Sequence, residues 1–251
     1  MQLLHSATRN YSWGSRTLIP HLQGQPDSDK PVAELWFGAH PGDPSTVDGR
    51  LLNEVIAEDP AGQLGGRVSA EYGERLPFLL KVLAAEEPLS LQAHPSKAQA
   101  EEGFARENAA GIELTASNRN YKDDNHKPEL IVALTDFYAM AGFRPLARTR
   151  ELFAALECPE LDHYVAMLDD DPSATTESAN LRVLFTTWIT IPSAKRKELI
   201  SAIVAAGERL IAADPADWKS RVMSTVLDLN QRYPGDIGVL GALLLLSLIH
   251  I

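Results

Sequence analysis

Near Thr149 the hydrophobic pattern of this chain changes its period, and that change constrains the fold more than any other feature. Upstream, short apolar runs are broken by turn-forming pairs at Pro41-Gly42, Asp43-Pro44 and Asp48-Gly49, the punctuation of β-strands. Downstream, Leu199, Ile200, Ile203, Val204, Leu210 and Ile211 recur at three- and four-residue intervals, which places them on one face of a helix. Two periods in succession predict a mixed α+β protein. Its expected parts are a β-rich domain over 1–148 with short helices, a helical subdomain over 149–234, and a closing apolar segment, 235–251.

The helical part carries its own boundary signals. Ser193 is a fair N-cap for the segment through Ile211, and Asp214-Pro215 offers a cap and a first-turn proline for a helix bearing Trp218, Val222, Val226 and Leu229. Tyr233-Pro234-Gly235 ends it. Weaker helices are expected at about 149–168 and 177–190, a short one at Leu51–Ala57, and a capped one after Ser96-Lys-Ala-Gln99, running to about Asn108. None of the helical faces beyond Thr149 bears a chemically suggestive cluster, so the subdomain is expected to cover the sheet. The apolar run Ile237–Ile251 falls short of the roughly 20 residues a membrane-spanning helix needs and lacks basic flanks. A buried strand is the expectation there.

Chemistry is concentrated between Leu76 and Pro145. In Pro88-Leu-Ser-Leu-Gln-Ala-His-Pro95 the alternation of a strand sets Ser90, Gln92 and His94 on one face, and in Lys127–Leu134 it sets Lys127 and Glu129 opposite Leu130 and Val132. An amide oxygen, an imidazole and a carboxylate converging from two strands suit a divalent metal such as zinc and leave a position open. The simpler reading is that these side chains meet water on an outer sheet face. Lys81 interrupts the apolar run Pro77–Leu83. It either snorkels to solvent or serves as a cation for a phosphate. His126, beside Lys127 and Glu129, is either a surface group or an acid–base candidate. Trp13 and Trp36 suit a core or a pocket wall.

A net charge of −11 argues against a general nucleic-acid binder, which needs basic surface, so an anionic substrate would have to meet a local basic cluster. The opening residues lack the pattern of a secretory signal, and Cys158 is the only cysteine; together these predict a reducing, cytoplasmic setting. The sequon at Asn10-Tyr-Ser is then a chance match.

The wording of five segments, in order, adds to this reading: Asn-Tyr-Ser-Trp-Gly-Ser at 10–15, Ala-Glu-Leu-Trp-Phe-Gly-Ala-His-Pro at 33–41, Leu-Ser-Leu-Gln-Ala-His-Pro at 89–95, Asn-Tyr-Lys-Asp-Asp-Asn-His-Lys-Pro-Glu at 120–129 and Gly-Phe-Arg-Pro at 142–145. Together they resemble the type I phosphomannose isomerases. That resemblance implies a cupin-like antiparallel β-domain with an inserted helical subdomain, and a second cupin-like domain that this chain lacks. It implies one zinc ion per chain on Gln92, His94 and Glu129, and interconversion of mannose 6-phosphate and fructose 6-phosphate in mannose metabolism. His126 and Lys127 are the implied proton-handling candidates, with Lys81, Ser90 and Trp13 toward the sugar phosphate and Glu34 in a segment near the pocket. No nucleic acid or membrane partner is implied, and the full-length form is expected to be a monomer. The family's fourth ligand, a histidine, and its active-site arginine lie in segments absent here, and the wording departs from the family at Ser247. A truncated chain is therefore expected, its last segment, 235–251, starting the return to the β-domain that the resemblance implies, with weak or absent activity; the alternatives are a non-catalytic metal- or sugar-binding module and an inactive structural fragment.

Overall fold

The computed structural model describes residues 2–168 and 174–250. They fall into two compact units, Met1–Leu89 and Ser90–Ile251. The architecture is mixed, with small antiparallel sheets and many helices, as the two periods require.

The first unit contains β1 (Leu4–His5), β2 (Ala7–Arg9), α1 (Leu18–Leu22), β3 (Glu34–Phe37), β4 (Thr46–Val47), β5 (Arg50–Leu51), α2 (Leu52–Glu58), α3 (Pro60–Leu64), α4 (Gly66–Tyr72) and β6 (Leu80–Leu83). Two antiparallel sheets form, ordered β1-β4-β5 and β2-β3-β6. On central β3, Leu35 lies opposite Thr8 and Val82. It joins Ile19 and Ala84 in a small core to which Val32, Phe37 and Val82 add apolar surface. Because successive strand residues face opposite ways, Glu34 and Trp36 turn to the other side of the sheet, Trp36 directly opposite Lys81. Gly14 allows the Asn10–Ser15 segment to pass close to β3: a Cβ there would stand 2.6 Å from the Ala33 backbone. The run Pro77–Leu83 is not the buried strand its apolar content suggested. Only Leu80–Leu83 pairs, at the edge of its sheet, and Phe78 and Leu80 are exposed.

The second unit holds α5 (Lys97–Ala109), β7 (Phe137–Phe143), α6 (Leu146–Leu156), α7 (Pro159–Val165), α8 (Ala174–Thr190), α9 (Ser193–Ala213), α10 (Trp218–Arg232), α11 (Ile237–Ala242) and β8 (Leu245–His250). The capping box on α5 is complete: Ser96 Oγ accepts from the Gln99 N–H, and Gln99 Oε1 accepts from the Ser96 N–H. Leu152, Phe153, Leu156, Trp188, Ile203, Met223 and Leu240 belong to a continuous apolar core built between the helices and the start of β8. β8 runs antiparallel to β7, in register from Phe137↔His250 to Met140↔Ser247 and then displaced to Phe143↔Leu245. Three steps on β7 against two on β8 make a one-residue bulge, which Gly142 accommodates at φ 73°. This pairing is one reason the two units divide before Ser90 rather than at the change of period near Thr149.

Several boundaries differ from the sequence reading: the one helix expected at about 149–168 is two, α6 and α7, parted at Glu157–Cys158 where Glu157 turns left-handed and Pro159 starts the next helix. Ser193 is the first helical residue of α9 and Pro192 occupies its N-cap. At α10 the cap is Asp217, whose carboxylate accepts from the Lys219 N–H, while Asp214 accepts from Ala216 in the turn before it. The apolar run after Tyr233 is divided: Asp236 caps a short helix, α11, and only Leu245–His250 is strand. Ile251 lies outside the described residues. Among the described residues, no helix is long and apolar enough to cross a membrane.

Candidate metal and substrate site

The segments carrying the candidate metal ligands lie outside every strand and helix. Residues 88–95 and 125–135 belong to no strand, so the alternation read from Ser90, Gln92 and His94, and from Lys127 and Glu129, does not correspond to a hydrogen-bonded ladder. The apolar residues expected to face inward are exposed instead: Leu89, Leu91, Val132 and Leu134, with Leu130 at 91%; Ile131, on the face of Lys127 and Glu129, is exposed too. Ser90, Gln92 and His126 are exposed as well.

Two of the three candidate ligands nevertheless come together. His94 Nε2 stands 3.8 Å from Glu129 Oε2, both side chains part-exposed. Two donors each about 2.1 Å from a tetrahedral zinc lie about 3.4 Å apart, so a small adjustment would let one ion bridge this pair. Gln92, two residues before His94 in the same segment, is the candidate for a third donor, through its amide oxygen. Among the described residues, no group of three or more His, Cys, Asp or Glu side chains is arranged to hold a metal. A site here therefore needs an amide oxygen as well as the imidazole and carboxylate.

The residues leading to Glu129 are tethered by side chains. Lys127 Nζ pairs with Asp123 Oδ2 at 2.8 Å, four residues earlier, so its charge has a local partner. Lys97, at the start of α5, donates to the Asp124 carbonyl at 2.8 Å and to Asn125 Oδ1 at 3.2 Å. Farther along α5, buried Glu107 accepts from the backbone N–H groups of Tyr121 at 2.8 Å and Asn120 at 3.1 Å. The Tyr121 bond is the main reason its carboxyl titrates below the ordinary 4.5; burial opposes the shift, and Asn120 and Arg119 add to it. No signal in the sequence singled out Glu107 or Arg119, because each lies among ordinary helix or loop residues.

The candidates of the first unit form a separate group on the outer face of the β2-β3-β6 sheet. Glu34 is 5% exposed, accepts from the Trp36 indole N–H at 2.8 Å and faces Lys81 Nζ at 3.6 Å. Lys81 Nζ also lies 5.3 Å from the Trp36 ring centre, and the Arg9 guanidinium 5.0 Å from the same centre. The Asp43 carboxylate bonds Arg9 at 2.6 Å and, with Tyr11, raises its pKa. Trp13 is part-buried, stacks on Tyr11 at 5.5 Å and stays outside the small core. Lys81 is thus neither a free snorkelling lysine nor an uncommitted phosphate cation, since it already compensates a buried carboxylate.

Comparison with known proteins places the chain in a family. The phosphomannose isomerase type I catalytic domain, as a family, matches residues 1–146. The mannose-6-phosphate isomerase of Escherichia coli K12 is 38% identical over 253 residues, taking in 98% of this chain and 60% of that protein. The Homo sapiens mannose-6-phosphate isomerase is 33% identical over 258 residues, with 94% and 57% covered. Among solved structures, Salmonella typhimurium mannose 6-phosphate isomerase bound to fructose 6-phosphate and zinc superposes with a TM-score of 0.84 at 35% identity, over 100% of this chain and 61% of that one. The chain spans about 60% of the length of these relatives.

Proposed function

This chain belongs to the type I phosphomannose isomerase family, and we propose on that premise that it provides the metal-holding part of an aldose–ketose isomerase acting on mannose 6-phosphate and fructose 6-phosphate. The approach of His94 to Glu129 at 3.8 Å carries the reading, because it joins two separate family segments at one point. Gln92, His94 and Glu129 would hold one zinc ion, which when bound supplies electrophilic stabilisation to the sugar oxygens. The cupin-like character of the β-rich part, and a further cupin-like domain completing the site, belong to the same reading.

The reaction moves a proton between C1 and C2 of the sugar through an enediol, so it needs an acid–base group and a means of holding the phosphate. His126 is the acid–base candidate. Lys127, one residue away, is suited to exchange its partner Asp123 for a substrate oxygen. Ser90 and Trp13 are assigned to the sugar, and Lys81 contributes positive charge that Glu34 and Trp36 keep in a fixed place. Each of these groups binds, orients or moves a proton, and none requires a covalent bond to the substrate.

Metal analysis of the purified protein and of His94→Ala, alongside a coupled isomerase assay, tests the proposal. Zinc bound one per chain in the parent and lost in the variant is the expected result. Zinc content that does not depend on His94 would remove this site from consideration, and zinc without turnover would leave a metal-binding module rather than an enzyme.

A further inference from the structure

Between Ile112 and Lys127 the chain has neither helix nor strand, yet this stretch delivers His126, Lys127 and Glu129. Without a ladder of its own, such a segment keeps a defined place through a few local turns, as at Ala116 and Arg119, and through side chains that satisfy its backbone. Helix α5 supplies them. At 100° per residue, Lys97, Ala100, Gly103, Phe104 and Glu107 fall within a stripe about 120° wide. The buried members, Ala100, Gly103 and Glu107, offer no large apolar surface, and none of the five belongs to the apolar core of this unit. This face of α5 is built to receive a polar loop.

The contacts run the length of the stripe. At one end Lys97 holds the Asp124 carbonyl and Asn125. In the middle the Tyr121 ring lies where a side chain on Gly103 would go, 2.5 Å from an ideal Cβ. At the other end Glu107 takes the N–H groups of Asn120 and Tyr121, and stands 3.1 Å from Arg119 Nε. Arg119, with its side chain wholly buried, donates to the carbonyls of Tyr121 at 2.5 Å and Ile112 at 2.6 Å and to Asn108 Oδ1 at 2.7 Å. A buried carboxylate facing a buried guanidinium, with backbone groups filling their remaining positions, is a well-satisfied arrangement and therefore a rigid one. Its bonds are to the loop rather than to the core.

We propose that Glu107, acting with Arg119, is a positioning residue: it docks loop 119–125 on α5 so that Glu129 is presented to His94 with the spacing a metal ion needs. The inference rests on the reading of Gln92, His94 and Glu129 as the metal ligands and adds a group that touches neither metal nor substrate.

Zinc affinity, measured by competition with a chromophoric chelator on the purified protein, is the readout, with far-ultraviolet circular dichroism reporting the helices. Supporting groups outside the ligand set typically contribute 10- to 100-fold to metal affinity. Glu107→Ala is accordingly expected to weaken zinc binding at least tenfold while helix content is kept. Glu107→Gln, which retains one oxygen acceptor for the loop N–H groups, should recover most of that loss. Gly103→Ala leaves every hydrogen-bonding group in place but displaces Tyr121, so it should weaken zinc in the same direction. It also decides the matter if Glu107→Ala does not fold. Parent-like zinc affinity in the folded Glu107→Ala or Gly103→Ala protein, with His94→Ala abolishing binding, would overturn the positioning role alone. Binding indifferent to His94 in the parent would overturn the metal reading, and this inference with it.

Discussion

Replacing Arg144 with Met tests whether a buried cation in this fold stabilises it through its hydrogen bonds or weakens it through its charge. Arg144 is almost fully buried at the end of β7 and donates to the carbonyls of Leu243 and Leu245, each at 2.7 Å. Its backbone N–H bonds the Leu244 carbonyl at 2.8 Å, so one residue holds three successive carbonyls of the chain entering β8. The cost is visible in its titration: burial first, and then the nearby Arg148, push the guanidinium pKa below its ordinary value. Met keeps the apolar stem, preserves the backbone bond and removes both the charge and the two side-chain donors. Leu243 is fully buried, so its carbonyl loses its donor where water cannot replace it, about 1–3 kcal/mol; part-exposed Leu245 recovers some of its loss from solvent. Relief of the buried charge offsets part of this. The balance is a net destabilisation of about 2 kcal/mol. Urea unfolding followed by circular dichroism at 222 nm, with tryptophan fluorescence as a second probe, should show a lower midpoint at unchanged slope. Arg144→Lys should be intermediate, since one ammonium cannot reach both carbonyls with the fork of a guanidinium. A Met variant within about 0.5 kcal/mol of the parent, or more stable than it, would show that the charge penalty outweighs the carbonyl bonds.

Lys81→Met should lower thermal stability modestly, because Glu34 stays buried without its cation. The double variant Lys81→Met/Glu34→Gln should restore the midpoint while kcat/KM for the proposed mannose 6-phosphate isomerisation, assayed with the proposed further domain supplied, remains at least tenfold down; recovery of both together would make Lys81 structural only. Glu107 has a folded-state pKa below its ordinary 4.5, so its contribution is fully present above that value and lost as pH falls through the lowered one. Acid titration of stability should therefore be shallower below about pH 4.5 in Glu107→Gln than in the parent, and parallel curves would refute the linkage. Met223, fully buried between α9 and α10, should cost about 2–5 kcal/mol when changed to Ala, read as a shift in urea midpoint; a loss under 1 kcal/mol would mean that the neighbouring helices close the cavity.

Local signals were legible wherever a short-range rule governs the outcome. The Ser96/Gln99 capping box and the helix it starts need only a few residues to specify them, and both are present as read. The apolar run after Tyr233 was misread because continuous hydrophobicity has no period to separate strand from helix; the discriminating residue is Asp236, whose carboxylate accepts from Gly238 and starts α11. At Asp214 and Asp217 two capping-competent residues stand three apart. Both make local backbone bonds, and only Asp217 lies next to the first helical turn. Lys81 was ambiguous for a longer-range reason. Its partner Glu34 is 47 positions away and meets it only across the β3–β6 pairing.

The site itself shows why alternation and placement are separate matters. A period of two assigns faces only when a sheet buries one of them, since burial is what makes a one-residue slip unfavourable. Neither 88–95 nor 127–134 belongs to a strand here, and Leu130, Val132 and Leu134 face solvent, as does Ile131 between them. The pleat therefore cannot be what sets the 3.8 Å approach of Glu129 to His94. What remains on each side of that approach is α5: its capping Ser96 stands two residues beyond His94, and its stripe from Lys97 to Glu107 holds loop 119–125, four residues ahead of Glu129. His94 and Glu129, the proposed ligands, are thus fixed to opposite ends of the connection made by one helix. A perturbation that loosens the loop from α5 should separate them even if every ligand is intact, whereas one confined to the exposed face of Leu130, Val132 and Leu134 should leave their spacing unchanged.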